Sequence, residues 1–559
     1  MTVSHPRTVT QTARIDTDRL AVLGLTVAVA LPLIVFVVLP LVGILNLSFV
    51  TEDGIGWGNF VRYFSSPKFT RVVVNSFTVT LTTTAITVVL AYAFAYAMHR
   101  TAMPGKRAFG MIVLLPLFAP SLVQALGILF MFGRNGVINR SFGLGIDIYG
   151  FWGIVISDVF YSFPHAYLIL SAALALADAR VYESAQMLGA SAARVFRTIT
   201  LPATRYGVMS ATFVVFTIVI TDFGNPMVIG GDFSVLATEI YNQVSGQSNF
   251  AMGAVIGVLL LIPAGLAVVI EKWIMRRHHA SITDRSQPLR LMPDRRRDMA
   301  GLVYASVVCG MILLIVGVVF VASFVTLWPY NMHLSLRHYR FEVQNGLQPL
   351  WTSVWVSLAA GAIGVVVTVA GACVMRRLHG AAAQALYFLS ILPAAVPGMV
   401  LGLGYIFAFN DPANPLEILY GTAVILAICN VYHYHAQGFL IATTGLNQIS
   451  RVFDEASTSL GGSFFRTLRS VILPIIWPSI VSVGVFFFVR SMVTLSAVIF
   501  LVTPSTQLAA VSVLLLDDAG NQNQAAAFSV CIMLVVAMAL ALFHGLLRLS
   551  GAKRVSLFG

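Results

Sequence analysis

The sequence predicts an all-α, polytopic membrane protein of about twelve transmembrane helices, built as two parallel six-helix repeats. Three observations carry this. Of 559 residues, 58% are hydrophobic and only 10% charged, with a mean hydropathy of +0.87, whereas a soluble domain carries roughly 25% charged residues. Apolar stretches long enough for the roughly 20 residues that cross a hydrocarbon core recur along the whole chain. A twenty-residue pattern also occurs twice, its copies starting at Glu183 and Glu455.

The apolar stretches divide the chain into spans at about 20–49, 71–98, 108–133, 149–175, 206–230, 250–275, 301–328, 351–375, 382–408, 417–442, 477–503 and 525–549. The first is too long for the apolar core of a signal peptide and reads as a retained helix. An even number of spans puts both termini on one side. With the termini cytoplasmic, about 26 Lys and Arg lie on that side and about 7 outside, in the sense of the positive-inside rule. The net charge of +12 therefore reads as membrane orientation. There are no basic, aromatic-interleaved stripes on a polar scaffold, so nucleic acid is excluded as a partner. Residues 1–19 read as a cytoplasmic tail, polar, basic and disordered over 1–18, 20–275 as a first transmembrane domain, 276–300 as a charged cytoplasmic linker holding Pro288 and Pro293, and 301–559 as a second transmembrane domain. The linker's arginines also suit anionic lipid. Cys309, Cys373, Cys429 and Cys531 all fall in apolar spans without ligand spacing and read as small hydrophobes.

The repeated pattern follows spans four and ten. The first copy runs from Glu183 through Ala185 and Gly189 to Phe196, Leu201 and Pro202. The second runs from Glu455 and Ala456 through Gly461 and Phe464 to Leu473 and Pro474. In both, glycine lies six residues after glutamate, and Leu-Pro begins twelve residues after glycine. Ala185 and Leu188 share one helical face, and Ala192, Val195, Phe196 and Ile199 another. The glycine permits a turn between two short helices, and the proline is expected to end the second and set the entry to the next span. The result is an amphipathic elbow at the membrane surface.

This spacing resembles the EAA motif of binding-protein-dependent ABC importer permeases, with Ser184, Ser457 and Gly462 as small-for-small departures. Tyr92 to Tyr96 after Asn75-Ser76, and Pro397 to Gly404, are similar to the family's core helices. The resemblance covers nearly the whole chain and implies the MetI-like permease fold in a fused, double-length form. It implies a multi-pass protein of the bacterial inner membrane, two copies of an ATPase subunit seated on the elbows, and a periplasmic solute-binding protein at the outer face. Thr221 to Gly231 and Val235 to Tyr241 resemble the ferric iron and 2-aminoethylphosphonate branch, and Thr506 to Ala509 with Asp517 to Gly520 look closer to the aminoethylphosphonate members.

The sequence has no G-x-x-x-x-G-K-[ST] phosphate loop, so ATP and Mg belong to the partner subunit, and no cofactor, metal or catalytic residue is expected in this chain. An ion-coupled secondary transporter with six-plus-six repeats is the alternative. It predicts a charged G-x-x-x-D-R loop after span two, where this chain has His99 to Arg107 without it.

Ionisable groups inside a bilayer face a cavity or a partner. On this ground Asp158, Asp222, Asn225, Asn430, Arg490 and Thr494 are candidates for the translocation pathway. Asp222 and Arg490 are candidates for a salt bridge across the pseudo-two-fold axis. His165, His433 and His435 read as interhelical hydrogen-bonding groups, since two histidines two apart do not share a helix face. Residues 57–64 and 330–341 read as interfacial helices on the outer surface.

Overall fold

A computed structural model describes residues 9–52, 54–176, 178–276, 293–341, 346–450 and 452–549. The first eight residues of the expected tail and positions 277–292 of the expected linker lie outside them. Helix is already present from Val9, so the expected disorder of residues 1–18 does not extend through the described part.

Among the described residues nine helices are long and apolar enough to cross a membrane singly, and twelve spans result when three bent pairs each count as one. The expected number stands, but several spans are not straight. Span nine, Gly380–Ala395 with Gly398–Phe409, bends by 109°. Pro393 and Pro397 bracket the bend, and each removes a backbone donor. Span three breaks in the same way: a tight turn at Leu115–Phe118 contains Pro116, Pro120 follows, and helix resumes at Leu122. Span ten bends by 58° between His433 and His435.

Spans five and eleven end sooner than the apolar pattern predicts. Span five stops at Ile220, and the chain returns through short helices at Gly224–Ile229 and Leu236–Tyr241. Span eleven stops at Val493 and returns through Ala509–Asp518. These returning segments are apolar because they are buried in protein, which is where irregular backbone is tolerated at membrane depth. Phe223, Ile229, Ala237 and Ile240, and in the other repeat Ala497, Val498, Ala509 and Val513, have no accessible surface. The two segments meet where Tyr241 stacks on Phe500, with ring centroids 6.1 Å apart.

The halves are interlocked. Span one packs on helices of the second half, with Phe36 against Phe409 and Tyr432. Span seven, the first of the second half, packs reciprocally on spans two and three. Two glycines permit the close approach. A Cβ at Gly127 would lie 2.6 Å from the Ile315 carbonyl oxygen, and one at Gly404 would lie 2.7 Å from that of Pro40. Small residues at such crossings let helix backbones come together in membranes.

The expected surface helix at 57–64 is present as Gly58–Phe64. The one at 330–341 is not: Val325–Leu327 and Asn331–Leu334 form a small antiparallel hairpin, followed by a single tight turn at Arg337–Tyr339. Pro329 lies in the connection, where its missing N–H costs no ladder bond.

Candidate functional site

Each elbow begins with a short helix, Ala179–Met187 in the first half and Val452–Ser459 in the second. Gly189 and Gly461 sit at φ +68° and +76°, in the left-handed region where a Cβ is costly. The turn after the first helix is closed by the Gly189 N–H bonding to the Gln186 carbonyl and the Ala190 N–H to that of Ala185. In the second elbow the Gly462 N–H bonds to the Ser457 carbonyl in the same way. Ser191 and Ser463 then cap the following helices through the N–H groups of Arg194 and Arg466. The repeat seen in sequence is thus a repeat of backbone conformation.

The prolines act differently from expectation. Pro202 does not end a helix. It occupies the first turn of Leu201–Ile220, and the helical run from Ala192 to Ile220 is unbroken. Its missing donor and ring are accommodated by a wider turn at Phe196–Thr200 immediately before it. In the second half the run Phe464–Ile475 bends by 76° into Trp477–Val493, two residues beyond Pro474.

The elbow side chains divide into two sets. Glu183, Glu455, Ala456, Pro202 and Pro474 are exposed, Leu201 is 42% exposed, and Ala185 and Leu473 are half-buried. Phe196 packs on Tyr92 and Tyr96. Phe464 is buried beneath the Arg377 guanidinium, and its N–H donates to Asp18. Both phenylalanines therefore hold their elbows to the bundle and do not present an outer face. Leu188, which caps the helix through its N–H bond to the Ser184 carbonyl, is far more exposed than Ala185. The outer tips are Met187, Leu188 and Leu460, between 85% and 89% exposed, with Phe465 beside the last.

Sequence reasoning missed what fixes the elbows. Positions 182 and 454 immediately precede the two glutamates. The Arg100 guanidinium donates to the Tyr182 hydroxyl and the Leu174 carbonyl. Arg376 Nε lies 2.6 Å from the Asp454 carboxylate and its other nitrogens donate to the carbonyls of Leu446, Ile449 and Ser450. Each elbow is tied to an arginine at the end of span two or span eight. The signal was an arginine after each of those spans and a hydrogen-bonding residue one place before each glutamate.

Deep in the bundle, Asp158, Asn225 and Asn430 have no accessible surface, and Asp222 and Thr494 are buried. Asn225 joins three elements. Its side-chain nitrogen donates to Asp158 at 2.8 Å, its side-chain oxygen accepts from the Ala125 N–H at 3.2 Å, and its own N–H donates to Asp222. In the other half Asn430 donates to Ser491, and Thr494 to the Tyr434 hydroxyl. The candidate ion pair between Asp222 and Arg490 is absent: none of the ion pairs among the described residues includes either. The Arg490 guanidinium instead lies 4.8 Å over the Tyr434 ring and within polar reach of the Tyr161 and Tyr434 hydroxyls. Among the described residues no group of three or more His, Cys, Asp or Glu has metal-binding geometry.

Asn225→Leu is expected to cost about 1–3 kcal/mol, because it strips Asp158 of its donor and leaves the Ala125 N–H unpaired in the core. The measurement is the thermal unfolding midpoint of the purified protein in detergent.

The paired elbows suggest one transport family. A family model for the "binding-protein-dependent transport system inner membrane component" matches residues 102–278 and again 361–550. The chain belongs to this family. It carries the domain twice, and it is a permease component of an ABC importer in the inner membrane. It is 31% identical to the ferric transport system permease protein FbpB of Actinobacillus pleuropneumoniae, over 93% of this chain and 77% of that protein. It is 32% identical to the putative ferric transport system permease protein FbpB 1 of Haemophilus influenzae, over 84% and 76%. The thiamine transport system permease protein ThiP of Escherichia coli is 26% identical, over 60% of this chain and 63% of that protein. The family's name implies a solute-binding protein and an ATPase as partners.

Proposed function

We propose that this chain is the fused membrane subunit of a ferric iron importer, with both termini cytoplasmic. One copy of an ATPase subunit docks on the elbow at 183–202 and a second on the elbow at 455–474. The observation that carries this is the pair of elbows with the same left-handed glycine turn, each ending in large apolar side chains. Met187, Leu188 and Leu460 have no reason to face water unless another protein covers them. ATP and Mg are held by the ATPase, and a periplasmic binding protein delivers the cargo to the opposite face. The similarity to ferric permeases supports iron as cargo. The segments 506–509 and 517–520 favour 2-aminoethylphosphonate as a second reading.

Asp158, Asp222, Asn225, Asn430, Arg490 and Thr494 belong to the pathway in this reading. They sit toward the end of the bundle away from the elbows, under the returning segments joined by Tyr241 and Phe500. In this reading the resting chain is closed to the outside by the returning segments. ATP binding draws the ATPase copies together, moves the elbows and parts the returning segments.

The test is co-purification from detergent-solubilised membranes. A Cβ at a left-handed position costs about 1–2 kcal/mol, so Gly189→Val with Gly461→Val is expected to distort both tips and abolish capture of the ATPase, while the permease still reaches the membrane. If wild type captures no ATPase and uptake follows a proton or sodium gradient, the secondary-transporter alternative replaces this reading.

A further inference from the structure

Arg490 lies where span four of the first half and span ten of the second come together through Tyr161 and Tyr434. On span four the side chains of Tyr161, His165 and Leu168 are half-exposed and Ala172 is exposed. On span ten the repeat-equivalent His433, Leu440 and Thr444 follow the same course, and Gln437 is exposed. Exposure grows toward the elbows on both helices. These faces carry His, Tyr, Gln and Thr, which is the character of a water-filled wall and not of a lipid-facing one. Arg490 itself is half-buried.

The groups around the guanidinium are donors or neutral rings. Tyr161 and Tyr434 present hydroxyls to it. His165 stacks edge-on with Tyr161 at 6.0 Å, and His433 with Tyr434 at 4.4 Å. The Nδ1 atoms of both histidines are buried without a hydrogen-bond partner. Asp158 and Asp222 are held by Asn225 and make no ion pair with the guanidinium. A cation in a low-dielectric interior, with hydroxyls and imidazoles beside it, attracts an anion and repels a bare multivalent cation. The repeat-equivalent of Arg490 is Ile218, so the charge is a feature of one half only.

We propose that Arg490, with Tyr161, Tyr434, His165 and His433, forms an oxyanion-recognition site in the translocation pathway, so that cargo passes it as an oxyanion or bound to one. This deepens the importer reading and depends on it. A guanidinium binds an oxyanion through a planar fork of donors, and the hydroxyls and imidazoles supply the remaining bonds. A ferric ion would cross accompanied by its anionic ligand, and a phosphonate would cross by itself.

The experiment uses the chain with its ATPase subunit in nanodiscs and radiolabelled inorganic phosphate as probe. Saturable binding is expected for wild type, an at least tenfold loss for Arg490→Met, and retention within about threefold for Arg490→Lys. ATPase co-purification stays at wild-type level in all three. Should Arg490→Met fail to assemble, Tyr161→Phe with His433→Leu serves in its place, with weakened phosphate binding expected. In proteoliposomes with the binding protein, uptake of ferric iron that depends on added phosphate identifies a metal-bound anion. Uptake of 2-aminoethylphosphonate that displaces the phosphate identifies a free one. Phosphate binding that is absent, or unchanged in Arg490→Met, overturns the proposal while an intact ATPase complex leaves the importer reading standing. Loss of the ATPase from wild type overturns the importer reading itself.

Discussion

Arg376→Ala is expected to uncouple the second elbow. The guanidinium donates to the Asp454 carboxylate and to three carbonyls at the end of span ten. Arg377 still reaches the Asp454 carboxylate at 3.4 Å, so the loss falls chiefly on the three carbonyls left without their donor and costs about 1–3 kcal/mol. Here the loss is local. The affected groups lie at the junction of span eight, the end of span ten and the elbow helix, while the packed bundle is untouched. The expected result is fast amide hydrogen exchange across residues 452–467 with the rest of the second half still protected. ATP hydrolysis by the assembled complex continues, but transport falls at least tenfold. Asp454→Asn is expected to be milder, since an amide oxygen still accepts from the arginine. Unchanged exchange at the elbow in Arg376→Ala would rule out this role.

Gly398→Ser is expected to damage the meeting of span nine with its returning segment, and a second substitution is expected to repair it. In the first half Ser121 on span three faces Gly224 on the returning segment. A Cβ at Gly224 would lie 2.2 Å from the Ser121 hydroxyl oxygen. In the second half the residues are exchanged: Gly398 is on the span and Ser496 on the returning segment, and a Cβ at Gly398 would lie 2.3 Å from the Ser496 hydroxyl oxygen and 3.0 Å from the Ala497 nitrogen. Each contact has room for one small side chain. Two serines overfill it, at a cost of about 1–3 kcal/mol for an overpacked core. Gly398→Ser with Ser496→Gly reproduces the arrangement of the first half and is expected to recover most of the loss. Unfolding midpoints of wild type, the two single variants and the double variant give the coupling directly. Additive effects would show that the contact is looser than the distances imply.

Much of this was legible from residues alone. The duplicated glycine spacing located both elbows, because a left-handed turn restricts the residue at one position and the Leu-Pro pair marks the next span. Apolar length located the spans. What it concealed were their interruptions, since a returning segment buried in protein is as apolar as one that crosses lipid. Residues 221–241 and 494–518 are of this kind. The arginine ties were hidden for another reason: Arg100 and Arg376 sit in basic span ends, where topology alone accounts for a positive charge. Asp222 and Arg490 do not meet, because sequence equivalence across a repeat fixes depth in the membrane and leaves open which side chain stands between.

The two elbows continue into their spans differently. From Ala192 to Ile220 the first is one helical run of 29 residues, a stiff lever about 44 Å long at 1.5 Å per residue. The second has a joint at Ile476, where the chain turns by 76°. A displacement at the first tip reaches the returning segment at 221–241 as a tilt of the whole rod. At the second tip part of the stroke is taken up by opening or closing the joint. Equal strokes at the two elbows would therefore become unequal movements at the far side of the membrane, with the first half leading. A single fused chain can keep such an asymmetry, because each arm always has the same neighbour.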